Sequence, residues 1–363
     1  MENDGKLFIS SSPHILNSDS TKGIMWTVSI FLIPPTLFGI YAFGLHSLFV
    51  VIASILSAII TEGIIIAIRK KKMTISDGSA FLTGLIIGMN LPPQVPLYIP
   101  IISSVFAIAI VKQAFGGLGQ NWANPAVAAR VFALFAWTKE MTTWNTPFIA
   151  DALTTATPLG ASKTALVEHF GIGHITAATR ESFVATHSVS FSGPMEILQS
   201  LSNEVLRTDI SYFNLFFGFK GGCIGEISIF LLLIGAAYLI YRKIITIEIP
   251  LFFIGTVLLF SWAFDGLKYG MGFFGGDALF QFLTGGLVFG AFFCATDMVT
   301  TPLTIAGRII FGIGCGLITV LVRMFGGLPE GVSLAILFMN MLTPTIDRII
   351  KVKPFGYIKE KKA

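Results

Sequence analysis

Charge is what this sequence lacks. Asp, Glu, Lys and Arg make up 12% of its 363 residues, about half of the ~25% usual in a soluble domain. So few charges cannot keep a globular surface wetted, and the mean hydropathy of +0.80 excludes an ordinary soluble enzyme. The net charge of +4 does not point to nucleic acid, because the basic residues sit at the ends of apolar runs. Cysteine is scarce too. Cys223, Cys294 and Cys315 show no C-x-x-C spacing and fall in or beside apolar runs, so inert buried thiols are expected rather than a metal or dithiol site. There is no H-E-x-x-H, no Walker loop and no G-x-G-x-x-G opening a helix after a strand. His169 and His174 are five apart, out of step with a pair of ligands on one helix face. Metal and nucleotide binding are therefore not expected here. A cleavable signal is not expected either, since the first 22 residues are polar and the first apolar run continues at spanning length.

What the chain has in abundance is apolar runs near 20 residues, long enough to cross a ~30 Å hydrocarbon core. Spans are expected at about 23–43, 45–68, 78–91, 96–115 and 122–137, then at 221–241, 248–264, 278–297, 305–324 and 328–348. The shorter ones predict broken or half helices, which membranes tolerate where the backbone faces protein or a wet cavity. Glycine is frequent (37 residues), as expected where membrane helices approach closely. The expected organisation is an N-terminal segment 1–22, a first transmembrane unit 23–137, a polar loop 138–220, a second unit 221–348 and a basic tail 349–363. Lys and Arg set the orientation. Arg69 to Lys72, Arg242 with Lys243, Arg308, and Arg348 with Lys351 and Lys353 all fall on one side if both termini are cytoplasmic. That arrangement puts the 138–220 loop outside the cytoplasm.

The two units share short matches in the same order. Phe81-Leu82-Thr83-Gly84 recurs as Phe282-Leu283-Thr284-Gly285, Pro96-Leu97 as Pro302-Leu303, and Gly116-Gly117-Leu118 as Gly326-Gly327-Leu328, at offsets of 201, 206 and 210 residues. Five spans is an odd number, so a repeated unit would be inverted. Binding and conduction sites in inverted repeats lie near the midplane where the halves meet.

Within the polar loop, Asp151-Ala152-Leu153-Thr154-Thr155-Ala156-Thr157 fits the pattern D-x-x-[ST]-x-A-[ST]. This resembles the flavinylation motif of ion-pumping respiratory complexes, in which a flavin transferase joins the FMN phosphate to the last hydroxyl, here Thr157. The plainer reading is a Thr-rich turn before Pro158. Further marks are Ser12-Pro13-His14, Gly119-Gln120-Asn121-Trp122-Ala123-Asn124-Pro125-Ala126, Ala295-Thr296-Asp297, and Pro329-Glu330-Gly331-Val332 onward to Asp347. With these the chain resembles, from about Ser11 to Asp347, the family that holds the D subunit of the Rnf complex and the B subunit of the sodium-pumping NADH:quinone oxidoreductase. The Rnf complex is the ion-translocating ferredoxin:NAD oxidoreductase. The Ser-Pro-His start favours the Rnf branch. Where the quinone enzyme has S-G-A-T, this chain has Thr154-Thr155-Ala156-Thr157, and the acceptor hydroxyl is unaffected.

The resemblance implies one component of a six-subunit translocase in the bacterial cytoplasmic membrane, with the A, B, C, E and G components of the Rnf complex as partners and a flavin transferase during maturation. It implies covalent FMN on Thr157, non-covalent riboflavin, a urea-transporter-like fold of two inverted five-helix repeats, and a share in the Na⁺ or H⁺ path. The NAD and ferredoxin sites would lie on other subunits. By the same resemblance Asn121 and Asn124 line the riboflavin site, and Phe289 and Phe293 form an apolar constriction that gates ions by dewetting.

The residues themselves leave alternatives open. One of the two asparagines is needed to cap the helix at Pro125. Phe289 and Phe293 share a helix face, and with 34 Phe in the chain core packing is the default explanation of the pair. Ionisable groups in apolar spans are functional hypotheses by default, which singles out Glu62, Asp297 and Asp347. Against that, Glu62 could snorkel past Arg69, and the two aspartates could cap helices or pair with Arg308 and Arg348. Arg130 could reach a partner, a flavin or a lipid headgroup. A passive channel or secondary transporter is the competing function, and an assembly scaffold a third; neither needs the Thr157 motif.

Overall fold

The structure, a computed structural model, describes residues 20–70, 75–145, 147–148, 154–155, 157–160, 211–269, 272–326 and 330–350. Asp151, Ala156 and most of the 138–220 loop lie outside them.

The chain is helical, as an all-α membrane protein requires. The first unit contains α1 (Thr21–Phe43), α2 (Leu45–Ile68), α3 (Ser79–Met89), α4 (Tyr98–Val105, continued by a wider π turn over Phe106–Gln113) and α5 (Pro125–Ala136). A short α6 (Thr138–Met141) follows, then a two-residue antiparallel pair, Trp144–Asn145 with Thr154–Thr155. After α7 (Tyr212–Phe217), the second unit contains α8 (Ile229–Tyr241), α9 (Glu248–Phe264), α10 (Ala278–Leu283), α11 (Leu287–Phe289, continued as a π turn over Gly290–Cys294), α12 (Ile305–Phe325) and α13 (Val332–Ile349). Every expected apolar run contains helix. Among the described residues, α1, α2, α9, α12 and α13 are long and apolar enough to cross a membrane, and α3, α4, α5 and α8 are shorter apolar helices.

Local sequence explains the ends. Ser20 Oγ accepts from Gly23 N at α1, Asp277 Oδ1 from Phe280 N at α10 and Thr304 Oγ1 from Gly307 N at α12, each closing an orphan donor of a first turn. The run expected as one span at 278–297 is two pieces because Gly285 adopts φ +66, a left-handed conformation that breaks the helix. The run from 221 begins as helix only at Ile229. Its first residues instead cross to the first unit, where Ile224 N and Gly225 N donate to Leu91 O and Met89 O at 3.2 and 2.8 Å.

Close helix contacts use small residues, as in membrane proteins generally. Gly84 and Gly88 set α3 against the backbone of α2 at Ser54, Ile55 and Val51, where a Cβ added at Gly84 would lie 2.7 Å from Ile55 Cα. Gly312 and Gly316 do the same for α12 on α9. One continuous apolar core includes Leu32, Val50, Met89, Ala126, Ile224, Phe253, Phe293 and Ile336, so both units share it. The outer stripe of α2 — Phe49, Ile52, Leu56, Ile60 and Ile64 — is exposed apolar surface. A soluble protein does not tolerate such a stripe, and a bilayer or a membrane partner covers it.

Candidate functional site

A cavity opens at one end of the helices. It gathers the N-terminal end of α1 (Ile24, Val28), Ser79 at the start of α3, Lys112 near the end of α4, Asn121 and Asn124 before α5, Leu239 near the end of α8, and Phe293, Thr296 and Asp297 after α11. Apolar walls with a few converging polar groups are the usual make-up of a small-molecule site.

The two asparagines have divided their work. Asn124 is the cap, its Oδ1 accepting from Ala126 N and Val127 N at 3.0 and 3.4 Å. Its Nδ2 donates to Cys294 O at 3.0 Å, in the π turn of α11, which ties the two units together beneath the cavity. Asn121 Nδ2 donates to Ala123 O at 3.0 Å and stands against the Asp297 carboxylate. Both contacts use the amide nitrogen, which leaves Asn121 Oδ1 as the amide oxygen available to a ligand. Thr300 Oγ1 donates to Asp297 Oδ2 at 3.1 Å. Asp297 therefore faces the cavity on neutral partners and does not pair with Arg308. That guanidinium bonds the carbonyls of Pro302 and Leu303 and lies 3.8 Å from Glu248.

Other expected site residues are placed differently. Phe293 lines the cavity and stacks on Phe289 with ring centroids 5.9 Å apart; Phe289 itself lies behind it in the core. Asp347 is not brought to the cavity. It accepts from Leu303 N at 3.2 Å and ties the end of α13 to the loop before α12. Glu62 does not snorkel. It is 1% exposed, and its Oε1 accepts from Lys112 Nζ at 2.7 Å and Gln113 Nε2 at 2.9 Å. Arg69, the group it was expected to pass, donates instead to Gln113 O at 2.6 Å.

Arg130 is engaged within the chain. It donates to Asn90 O, Ser333 Oγ, Cys223 Sγ and Glu330 Oε2, the last at 2.7 Å. Cys223, Glu226 and Glu330 place their ligand atoms within 4.8 Å of one another, all buried. The guanidinium of Arg130 already donates to two of the three, so this is an anchored cation rather than an open ligand set. Cys223 N donates to Glu226 Oε1 at 2.9 Å, and Lys220 Nζ donates to Leu283 O at 2.6 Å. Close by, Arg323 donates to Gln281 and Thr284 O, and Gln281 passes the contact to Asp265 at 3.0 Å. Sequence reasoning missed Lys112, Lys220 and Arg323. The signal was present: each is a lone cation in an apolar stretch, which must find a buried partner.

Thr157 is 3% exposed, and its Oγ1 accepts from Gly160 N at 3.0 Å. It closes the turn entered through Pro158, just after the strand pair that includes Thr154 and Thr155. The hydroxyl is chemically able to form a phosphoester, but the closed turn hides it.

A family model described as NQR2, RnfD, RnfE family matches residues 8–356. The chain is 43% identical over 350 residues, 96% of each chain, to the D subunit of a proton-translocating ferredoxin:NAD(+) oxidoreductase complex of Clostridium ljungdahlii. It is 40% identical to the D subunit of a Na(+)-translocating ferredoxin:NAD(+) oxidoreductase complex of Acetobacterium woodii, covering 99% of this chain and 98% of the relative. Identity to the D subunit of an ion-translocating oxidoreductase complex of Stutzerimonas stutzeri is 33%, over 93% of this chain and 92% of the relative.

Proposed function

The chain belongs to the NQR2, RnfD, RnfE family, and on that premise we propose that it is the membrane subunit of a redox-driven ion pump, working between reduced ferredoxin and NAD. The observation that carries this reading is the end-to-end match to two relatives named as the D subunits of such complexes. Its partners are the remaining subunits of that complex, which hold the ferredoxin and NAD sites. Thr157 carries FMN through a phosphoester, and a flavin transferase acts on it while the turn at Pro158 is open. The cavity holds riboflavin. Two features support that choice: apolar walls suit a tricyclic ring, and the spare Asn121 Oδ1, with the acceptor lone pairs left on the Ser79 and Thr296 oxygens, suits its polar edge. A flavin bound there supplies one- and two-electron exchange. This chain's own residues orient it, exclude water and set the local charge.

The inverted repeat belongs to the same proposal. The start of α1 and the end of α8 meet at the cavity, as do the start of α3 and the residues after α11. The start of α13 meets Arg130 on α5, while its end returns to Leu303. At the cavity α1 and α8, and α3 and α11, thus meet start to end, which supports inversion. With the basic ends of α2 and α8 cytoplasmic, the 138–220 loop is extracytoplasmic. A cysteine introduced at Ser162 is expected to react with an impermeant thiol reagent in whole cells; labelling only after lysis would reverse the orientation.

Asp297, on neutral partners beside the stacked Phe289–Phe293 pair, is the carboxylate we place on the ion path. Asp297→Asn keeps the shape and one acceptor oxygen and loses the charge. It should lower ion affinity and ion-dependent turnover together, with the covalent FMN on Thr157 unchanged. Phe293→Ala should leave electron transfer intact and let ions leak back. Proteoliposomes in which NAD reduction and uptake of Na⁺ or H⁺ are measured side by side separate the two phenotypes. Wild-type stoichiometry in both variants would move the path to another subunit. A passive channel, the competing reading, predicts no flavin at all, so ultraviolet fluorescence of the denatured chain on a gel decides between them.

A further inference from the structure

Lys112 is the cavity's only positively charged side chain among the described residues, and Asp297 its only negative one. At 2% exposure, Lys112 has no solvent to stabilise its ammonium. It is held instead by Ser79 Oγ and by Glu62 Oε1, both at 2.7 Å. Glu62 stands behind it, outside the cavity lining, and its Oε2 has no hydrogen-bond partner among the described residues. The arrangement is a fixed dipole whose positive end lies in the cavity wall and whose negative end lies in the protein. Buried charges of this kind act over longer distances than exposed ones because nothing screens them. A structural role alone would be met by any neutral pair of similar volume, often with no loss of stability. A charge pair at this wall also acts on whatever the cavity holds.

We propose that Lys112 is a positioning residue that sets the reduction potential of the flavin bound in this cavity, with Glu62 as the counter-charge that limits its effect. The inference rests on the reading that a flavin binds there. Reduction places negative charge on the flavin, and the nearby ammonium favours the reduced form. Removing Lys112 removes that stabilisation. Removing the charge of Glu62 leaves the ammonium with Ser79 Oγ, itself bonded to the Asp77 carboxylate at 2.6 Å, as its remaining support, and this weaker compensation favours the reduced form further. The two changes therefore act in opposite directions.

The test uses the full chain purified with Thr157→Ala, so that any flavin it retains is non-covalent. Riboflavin is added and binding is followed by fluorescence quenching; absence of binding in this background overturns the cavity reading itself. With riboflavin bound, spectroelectrochemical titration gives its midpoint potential. Lys112→Met is expected to lower it and Glu62→Gln to raise it. Each shift should be at least a tenfold change in the oxidised-to-reduced ratio at fixed potential, which is about 30 mV for a two-electron couple. Lys112→Arg keeps the charge and is expected to stay near the parent. Bound riboflavin with potentials unmoved, or moved in the same direction by Lys112→Met and Glu62→Gln, overturns the role of the pair while leaving the flavin site standing. Should Lys112→Met fail to fold, the upward shift in Glu62→Gln and its absence in Lys112→Arg still decide the matter.

Discussion

Thr157→Ala is expected to yield a chain that inserts normally and carries no covalent flavin. A phosphoester needs a hydroxyl, and alanine has none. Intact mass should fall by one FMN less a water, and in-gel fluorescence should vanish rather than weaken. Thr157→Ser should keep part of the flavin, since the chemistry asks only for an oxygen nucleophile. Misfolding is too small an effect to explain such a loss. Thr157 Oγ1 closes one backbone donor, Gly160 N, and a missing cap of this kind costs about 1 kcal/mol. That is small for a chain with one continuous core across both units. Retained fluorescence with label on Thr154 or Thr155 would show that a neighbouring hydroxyl is the acceptor. Burial of the hydroxyl adds an order to the events. The turn at Pro158 must be open when the transferase acts, so flavin should be added more slowly to chain that has already folded than to chain labelled during synthesis.

Much of the architecture was legible because the strongest constraint on a membrane chain is written in apolar run length. The ends of α1, α2, α9 and α12 follow the expected runs within a few residues. What was not legible is where a run stops being helix. Gly285 breaks the eighth run with a positive φ, and Ile224 and Gly225 pair with Leu91 and Met89 instead of extending α8. Hydropathy encodes neither a backbone angle nor the distant partners of Ile224 and Gly225. The same limit applies to the site. Asn124 at its helix start could be read as a cap from the following proline alone. The partner of Glu62 could not, since Lys112 lies on another helix, far along the chain. A carboxylate in an apolar helix was legible as an anomaly, and its solution was not. The ion-path set was accordingly split: Asp297 faces the cavity, Phe293 lines it, Glu62 sits behind Lys112, and Asp347 fastens the end of α13.

Arg130 is expected to be the least replaceable side chain for stability. It spans the interface of the two units, and its targets come from three separate parts of the chain: Asn90, Cys223, and Glu330 with Ser333. It is 9% exposed and Glu330 8%, so neither charge has water to fall back on. Removing one partner of a buried pair strands the other, which costs about 3–5 kcal/mol, whereas replacing both by apolar groups of like size is often neutral. Arg130→Met and Glu330→Met should therefore each lower the melting temperature strongly, and the double variant should recover much of the loss. The protein contains its own reporter, because Cys223, Cys294 and Cys315 are all buried and free. A thiol-reactive dye should label them only as the chain opens, and Cys223 should become reactive first in Arg130→Met, since it loses a direct donor. Additive single losses would mean that Arg130 and Glu330 do not act as a pair. Wild-type melting in both single variants would mean that the ionic bridge contributes nothing to the join, which then rests on the shared apolar core and the hydrogen bonds of Asn124, Ile224 and Gly225.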